Sequence, residues 1–133
     1  MEYLDLAGLL AIASRVLGLD GYAILHVTDL GLAESALGRP QASFEGHEFH
    51  AGLPEKAAAL MHSLAKNHAF LDGNKRIALV ATLQFLKLND FDLDLEPEAE
   101  TFEVVVNVAA GEIPFEKLNE WIGRRLRPRN TNG

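Results

Sequence analysis

The segment Asn74–Leu88, which reads NKRIALVATLQFLKL, is the part of the sequence that decides the fold. After Arg76 its only polar side chains are Thr82, Gln84 and Lys87, so the apolar residues cover almost the whole circumference of a helix. A helix that is apolar nearly all round is buried among other elements. The segment therefore predicts a helix at the centre of a bundle, with its N-terminus held rigidly.

On both sides of this segment, apolar residues recur at helical spacing in five further stretches. Glycines that follow three of the stretches, and prolines near the start of three, are typical helix boundaries. The predicted helices are 6–17, 30–37, 55–67, 97–110 and 114–126, with Asp29 as a cap. Only 91–95 alternates like a strand, and one lone strand forms no sheet. We expect one all-α domain over 1–127 and a disordered tail over 128–133.

Composition excludes several classes of protein. The chain has 133 residues, 48% of them hydrophobic, which suffices for one domain with its own core. It has no cysteine, which excludes disulfides, cysteine-based zinc sites and a thiol nucleophile. No apolar run is long enough to cross a membrane, and the first residues lack the basic segment of a secretory signal. With a net charge of −7, we expect a cytoplasmic protein that binds neither membrane nor nucleic acid directly.

Charge is distributed unevenly near the C-terminus. Seven acidic residues occur within 90–103, and four arginines follow at positions 124, 125, 127 and 129. The acidic run does not fit a calcium loop, because Leu95 and Thr101 stand where the template requires Gly and Glu. A surface loop or short strand is the better interpretation. For the arginines we favour a solvated last helical turn over a patch that binds a partner or an anionic ligand.

The segment that carries chemistry is 68–76, HAFLDGNKR, which ends at the start of the central helix. Unpaired backbone N–H groups and the positive end of the helix dipole meet there, and Lys75 and Arg76 add two cations. Such a site suits a polyphosphate, with Gly73 permitting a tight turn and close approach. His68 is suited to act as a base and Asp72 to hold Mg²⁺. The chemistry indicated is phosphoryl or nucleotidyl transfer; the alternative is an ordinary turn with solvated cations.

The same segment resembles the motif of the Fic/Doc superfamily, His-x-Phe-x-(Asp/Glu/Asn)-(Gly/Ala)-Asn-(Gly/Lys)-Arg, at all seven specified positions. The resemblance implies a compact bundle of six or seven helices with the motif loop at the N-terminus of the central helix. It implies that His68 is the general base, that Asp72 helps to hold Mg²⁺ and that Phe70 anchors the loop in the core. It also implies that the ATP phosphates are bound by Gly73, Asn74, Lys75 and Arg76.

Lys75 decides between two activities within this superfamily. Adenylyltransferases have Gly at this position, which leaves room to present the α-phosphate, whereas members of the Doc branch have Lys. The resemblance therefore implies a protein kinase that transfers the γ-phosphate of ATP to a threonine of elongation factor Tu and arrests translation. Ala69, where Fic members usually have Pro, also favours the Doc branch. Adenylylation of a protein hydroxyl is the alternative.

Regulation is expected to come from a separate protein. Self-inhibiting Fic members contain (Ser/Thr)-x-x-x-Glu-(Gly/Asn), and no serine or threonine of this chain begins such a pattern. The resemblance therefore implies the toxin of a type II toxin–antitoxin system. Its partner would be a Phd-like antitoxin with a disordered segment that folds onto the toxin.

Two other functions remain open. A metal-dependent phosphohydrolase would use His47, His50, His68 and Asp72, although it would not account for Lys75. A non-catalytic module would use the motif only to bind a nucleotide, another anion or an antitoxin. His47 and His50 lie in a region without clear periodicity, where surface histidines are the simplest interpretation. By resemblance this region matches the flap that lies over the active site and docks the target.

Overall fold

The computed structural model describes residues 1–129, which form seven α-helices and two short antiparallel ribbons. The helices are α1 (Leu6–Leu17), α2 (Gly21–His26), α3 (Leu30–Gly38), α4 (Leu53–Asn67), α5 (Asn74–Leu88), α6 (Glu98–Ala109) and α7 (Phe115–Arg125). A 3-10 turn, Arg39–Gln41, follows α3, and the strands are β1 (Ser43–Phe44), β2 (His47–Glu48), β3 (Phe91–Leu93) and β4 (Leu126–Pro128). The predicted helical fold is confirmed, since the helices build the core. No helix in 1–129 is long and apolar enough to span a membrane.

The first three helices each begin at an aspartate that caps them. The side chains of Asp5, Asp20 and Asp29 accept hydrogen bonds from backbone N–H groups three residues ahead, at 2.8, 2.8 and 3.0 Å. These bonds satisfy donors that the first turn of a helix leaves free. The cap predicted at Asp29 is confirmed. Helix α2, which periodicity does not reveal in only six residues, is the one missed.

The centre of the bundle is shared by α5 and α4. Helix α5 packs against α1, α4, α6 and β3, and α4 packs against α3, α5, α6 and α7. Thr82 is buried on α5 and donates its hydroxyl to the carbonyl oxygen of Ala78 at 2.7 Å, so its polar group is satisfied inside the core. Val80 and Leu88 on the same helix remain 39% exposed. One side of α5 therefore reaches solvent, although the sequence suggested that the helix is surrounded.

Strand β3 is not alone, so the expectation of no sheet was wrong. Phe91–Leu93 pairs in antiparallel register with Leu126–Pro128, with Phe91 opposite Pro128. The backbone N–H of Arg129 also donates to the carbonyl of Asp90 at 3.0 Å. Regular structure therefore extends past the predicted domain end at residue 127. The rest of the predicted tail, 130–133, lies outside the described residues.

Three of the four C-terminal arginines form ion pairs with residues of the acidic run. Arg125 forms an ion pair with Glu100 and lies over the ring of Trp121, 4.7 Å from its centroid. Arg127 reaches Asp94 at 3.4 Å, and Arg129 reaches Asp92 at 3.6 Å. The interpretation as a solvated helical turn was therefore wrong for these three residues. They hold the C-terminal strand against the segment that joins α5 to α6.

The predicted flap region forms the hairpin β1–β2, anchored by one buried lysine. Lys56 on α4 is only 2% exposed, and its ammonium donates to the carboxylate of Glu48 at 2.9 Å and to the carbonyl of Pro40 at 3.0 Å. The Tyr3 ring lies 5.5 Å from the same ammonium. A buried charge is tolerated when paired and hydrogen-bonded in this way. The ion pair fixes β2 to the core.

Candidate active site

The loop between α4 and α5 is held by backbone contacts with the start of α3. His68 ends α4 in the left-handed conformation, with φ 54° and ψ 48°. The N–H of Asp29 donates to the carbonyl of Ala69 at 2.7 Å, and Phe70 forms a β-bridge with Thr28. Phe70 is 3% exposed, as expected for a core anchor. These contacts leave the exposed His68 side chain on a fixed backbone.

Asn74 closes the loop with its side chain. Its amide oxygen accepts from the N–H of Phe70 at 3.1 Å, and its amide nitrogen donates to the carbonyl of Phe70 at 2.8 Å. The resemblance implied phosphate binding by Asn74. Because its side chain is bound to the loop, its own backbone N–H is the group left for a ligand.

Asn74→Ala removes both hydrogen bonds and is expected to lower the free energy of unfolding by about 1–2 kcal/mol, because the partly buried Phe70 backbone loses its partners. Asn74→Asp is the matched variant, since it still accepts from the N–H of Phe70 but cannot donate to the carbonyl. In urea unfolding, stability should decrease from wild type to Asn74→Asp and from Asn74→Asp to Asn74→Ala. Equal stability of the alanine variant and wild type would contradict this role.

The N-terminus of α5 presents free donors beside two exposed cations. The first intrahelical hydrogen bond runs from the N–H of Ile77 to the carbonyl of Gly73, at 2.8 Å. The N–H groups of Asn74, Lys75 and Arg76 precede it and have no acceptor within the helix. Lys75 and Arg76 are both exposed. Donors, helix dipole and cations together suit a phosphate group.

Gly73 is required by packing as well as by the turn. Its φ is +71°, and a Cβ atom there would lie 2.8 Å from Cδ2 of Leu17 and 3.5 Å from Cγ1 of Val16. Both neighbours belong to α1. The sequence predicts that this glycine lets a ligand approach. The structure adds a second role, because the missing side chain makes room for α1 and so fixes where the first turn of α5 lies.

All six predicted site residues line one open cavity of about 340 Å³: His68, Asp72, Gly73, Asn74, Lys75 and Arg76. Leu71 and two small residues from neighbouring helices, Ala65 and Ala109, complete it. Nothing in the motif marks Ala65 or Ala109, because they are brought to the cavity by helix packing. An imidazole, a carboxylate, two cations and the first turn of α5 therefore share one space.

A second cavity of about 320 Å³ adjoins the same two cations between α5 and α6. Its walls are mainly apolar, with Leu79, Phe102 and Val105 among the lining residues. Phe102 is 70% exposed. Together the two cavities offer a polar part for phosphates and an apolar part for a flat or aliphatic group.

The residues of the phosphohydrolase alternative do not form a metal cluster. Within 1–129 no group of three His, Cys, Asp or Glu side chains is arranged to hold a metal ion. His50 packs instead against Phe115, with ring centroids 4.9 Å apart. A single carboxylate such as Asp72 suits Mg²⁺ without such a cluster, because this ion is commonly held by one or two carboxylates together with substrate phosphates.

Two histidines outside the cavity have lowered pKa values. Burial is the main cause of the lowered pKa of His50, reinforced by Arg39 and Lys56 and opposed by Glu55. Burial also lowers the pKa of His62, again as the main cause. Both imidazoles are therefore held in the neutral form more strongly than in the unfolded chain.

The free energy of unfolding is expected to fall as the pH is lowered from about 7 to about 5, because unfolded histidines with a pKa near 6.5 then take up protons that folded His50 and His62 resist. At a pH above the pKa of the unfolded histidines, both imidazoles are neutral in the folded and the unfolded state, and the stability is not reduced. Thermal melts across this range would measure the loss. The double variant His50→Gln/His62→Gln should show a flatter profile, and an unchanged profile would refute the assignment.

The sequence of this chain is similar to a family model and to known proteins. The model of the Fic/DOC family matches residues 3–86. The chain is 40% identical over 109 residues to Toxin Doc of Mycolicibacterium smegmatis, covering 82% of this chain and 81% of that protein. It is 34% identical over 111 residues to Protein kinase doc of Escherichia phage P1, covering 84% of this chain and 82% of that protein. Both matches extend beyond the motif to most of the helical domain.

Proposed function

Because this chain belongs to the Fic/DOC family, we propose that it is the toxin of a toxin–antitoxin system and acts as an ATP-dependent protein kinase. The relatives named as a toxin and as a protein kinase support both parts. The observation that carries the proposal is the single cavity shared by His68, Asp72 and the cationic end of α5. A merely structural turn would not need base, carboxylate and anion site in one space.

In the proposed reaction, the polyphosphate of ATP binds the free N–H groups of α5 together with Lys75 and Arg76. Asp72 would hold Mg²⁺, which neutralises phosphate charge when bound. His68 accepts the proton of the acceptor hydroxyl as the hydroxyl oxygen bonds to the γ-phosphorus. The bond from that phosphorus to the β–γ bridging oxygen breaks, and ADP leaves. The apolar cavity between α5 and α6 would take the nucleoside.

The acceptor and the partner follow from the family resemblance. We propose a threonine of elongation factor Tu as the acceptor, so that phosphorylation arrests translation. A Phd-like antitoxin would neutralise the chain by folding a disordered segment onto it. Tyr22 and Leu25 on α2 are 75% and 49% exposed and offer an apolar surface near the catalytic loop for such a segment.

Parallel incubations with γ-labelled and α-labelled ATP, Mg²⁺ and purified elongation factor Tu test the reaction. We expect label on the elongation factor from γ-labelled ATP alone, because Lys75 stands at the position where the adenylyltransferases of the superfamily have glycine. Label from α-labelled ATP alone would establish the adenylyltransferase alternative. The non-catalytic alternative would be established if the chain binds nucleotide but labels neither elongation factor Tu nor any other protein in a cell lysate.

A further inference from the structure

A polar groove of about 390 Å³ runs between α3 and α4, separate from the phosphate cavity. On one wall, Leu32, Ser35 and Arg39 follow at spacings of three and four residues along α3 into the 3-10 turn. Such residues share one face of a helix. The other wall is the end of α4, from His62 to Asn67. Two helix faces therefore converge on an open channel.

The groove carries unneutralised positive charge on an otherwise acidic chain. Its charged lining residues are Arg39 and Lys66, and no described carboxylate lines it. Five ion pairs form among residues 1–129, and neither cation takes part in any of them. The chain as a whole has a net charge of −7. Ser35 and Ser63 add hydroxyl donors to the lining of the groove.

Both cations act on one side chain that lines the groove. His62 is that side chain, and its pKa is lowered first by burial, then by Lys66 and, more weakly, by Arg39. A backbone contact with Ile113 and the charge of Glu116 oppose the shift. The two cations are therefore both close enough to His62 to influence its charge, from within one groove.

The groove neighbours His68 through Asn67. Asn67 lines it and directly precedes His68, and the Asn67 amide donates to the carbonyl of Leu32 at 2.9 Å, which ties the two walls together. His68 also lines a cavity of about 290 Å³ on the α3 side, together with Thr28 and Asp29. The groove and the phosphate cavity have no lining residue in common. A partner in the groove therefore leaves room for ATP.

We propose that the groove between α3 and α4 docks an acidic segment of the protein substrate and so delivers the acceptor hydroxyl to His68. Arg39 would pair with a carboxylate in a bidentate manner, and Lys66 would supply a second point charge. The occupant is a substrate rather than an inhibitor, because docking here and ATP binding are compatible. This inference rests on the proposed function.

Charge reversal tests the groove in the full chain. Arg39→Glu is expected to raise the KM for elongation factor Tu about tenfold, with kcat and the KM for ATP within about twofold of wild type, because rim charges act on encounter and docking. Raising the salt from about 50 to about 300 mM should raise the wild-type KM but not that of the variant. Lys66→Glu should act in the same direction, although Lys66 also lies beside Gly111.

Lys87→Glu is the matched control, because Lys87 is an exposed cation in the last turn of α5 and lies outside the groove. The control should keep the wild-type KM. An unchanged KM in Arg39→Glu would overturn the proposal, as would an equal rise in the control. A variant with wild-type KM that its antitoxin no longer neutralises would assign the groove to the antitoxin and would also overturn the proposal.

A probe independent of the substrate's identity separates this inference from the proposed function. Hexaglutamate added to the isotopically labelled chain should shift backbone resonances of α3 and α4 and raise the pKa of His62; hexaglutamine should do neither. If elongation factor Tu is not labelled but hexaglutamate binds, and Arg39→Glu abolishes that binding, the target fails and the acidic docking site stands. Absence of these shifts would overturn the site.

Discussion

His68→Ala is expected to lower the rate of phosphoryl transfer to protein about 10²- to 10⁴-fold, the usual contribution of a positioned general base. The residue is exposed, and the loop is held by backbone contacts of Ala69 and Phe70 and by the Asn74 side chain. Truncation of the imidazole therefore removes the proposed base and leaves the proposed phosphate site in place. Nucleotide affinity should stay close to that of wild type.

The left-handed backbone at His68 requires a matched control, since alanine adopts that conformation less readily. His68→Asn is suitable, because asparagine tolerates a positive φ and has no group that accepts a proton near neutral pH. Both variants should lose transfer to the same extent while binding ATP in a titration. Wild-type transfer by His68→Asn would show that His68 is not the base.

Gly73→Ala is expected to cost both stability and activity. A left-handed alanine costs about 1–2 kcal/mol, and the new Cβ would lie 2.8 Å from a methyl group of Leu17. Relief of that contact must move the first turn of α5 or the α1 side chain. Since a shift of about 1 Å at a catalytic site can cost about 100-fold in rate, we expect at least a tenfold loss of transfer.

Gly18→Ala separates backbone strain from displacement of α5. Gly18 has φ +69°, almost the same as Gly73, but nothing lies within 4 Å of the position of its Cβ. The two variants should therefore share the backbone cost in urea unfolding, whereas only Gly73→Ala should lose the additional stability and the activity. Equal activity of the two variants would show that contact with α1 does not position the phosphate site.

Six of the seven helices could be predicted because their signals are local. Helix periodicity repeats every three to four residues, and an Asp cap lies three residues from the N–H that it accepts. The Asp20 cap was a signal that could have located α2, but six residues are too few to show periodicity. Strand β4 was missed because its partner is β3, more than 30 residues earlier, and no local pattern records that pairing.

The residues proposed for the site could be predicted for a similar reason, because His68 to Arg76 form one contiguous segment. The contacts of each side chain could not be predicted from the sequence. The Asn74 amide holds Phe70, Gly73 makes room for Leu17, and the arginines that looked solvated pair with the acidic run. The first contact is local but leaves no pattern in the sequence, whereas the other two join residues whose proximity depends on how the helices pack.

By itself, then, the sequence determined the helical class, the family motif and the clustering of cations at the start of α5, since these follow from the order of neighbouring residues. Only the tertiary structure decided that α4 shares the centre of the bundle and that 126–128 pairs with β3. It also brought Arg39 and Lys66, far apart in sequence, to one groove between α3 and α4. The physical reason is that helix packing joins distant faces, and no spacing along the chain encodes which faces meet.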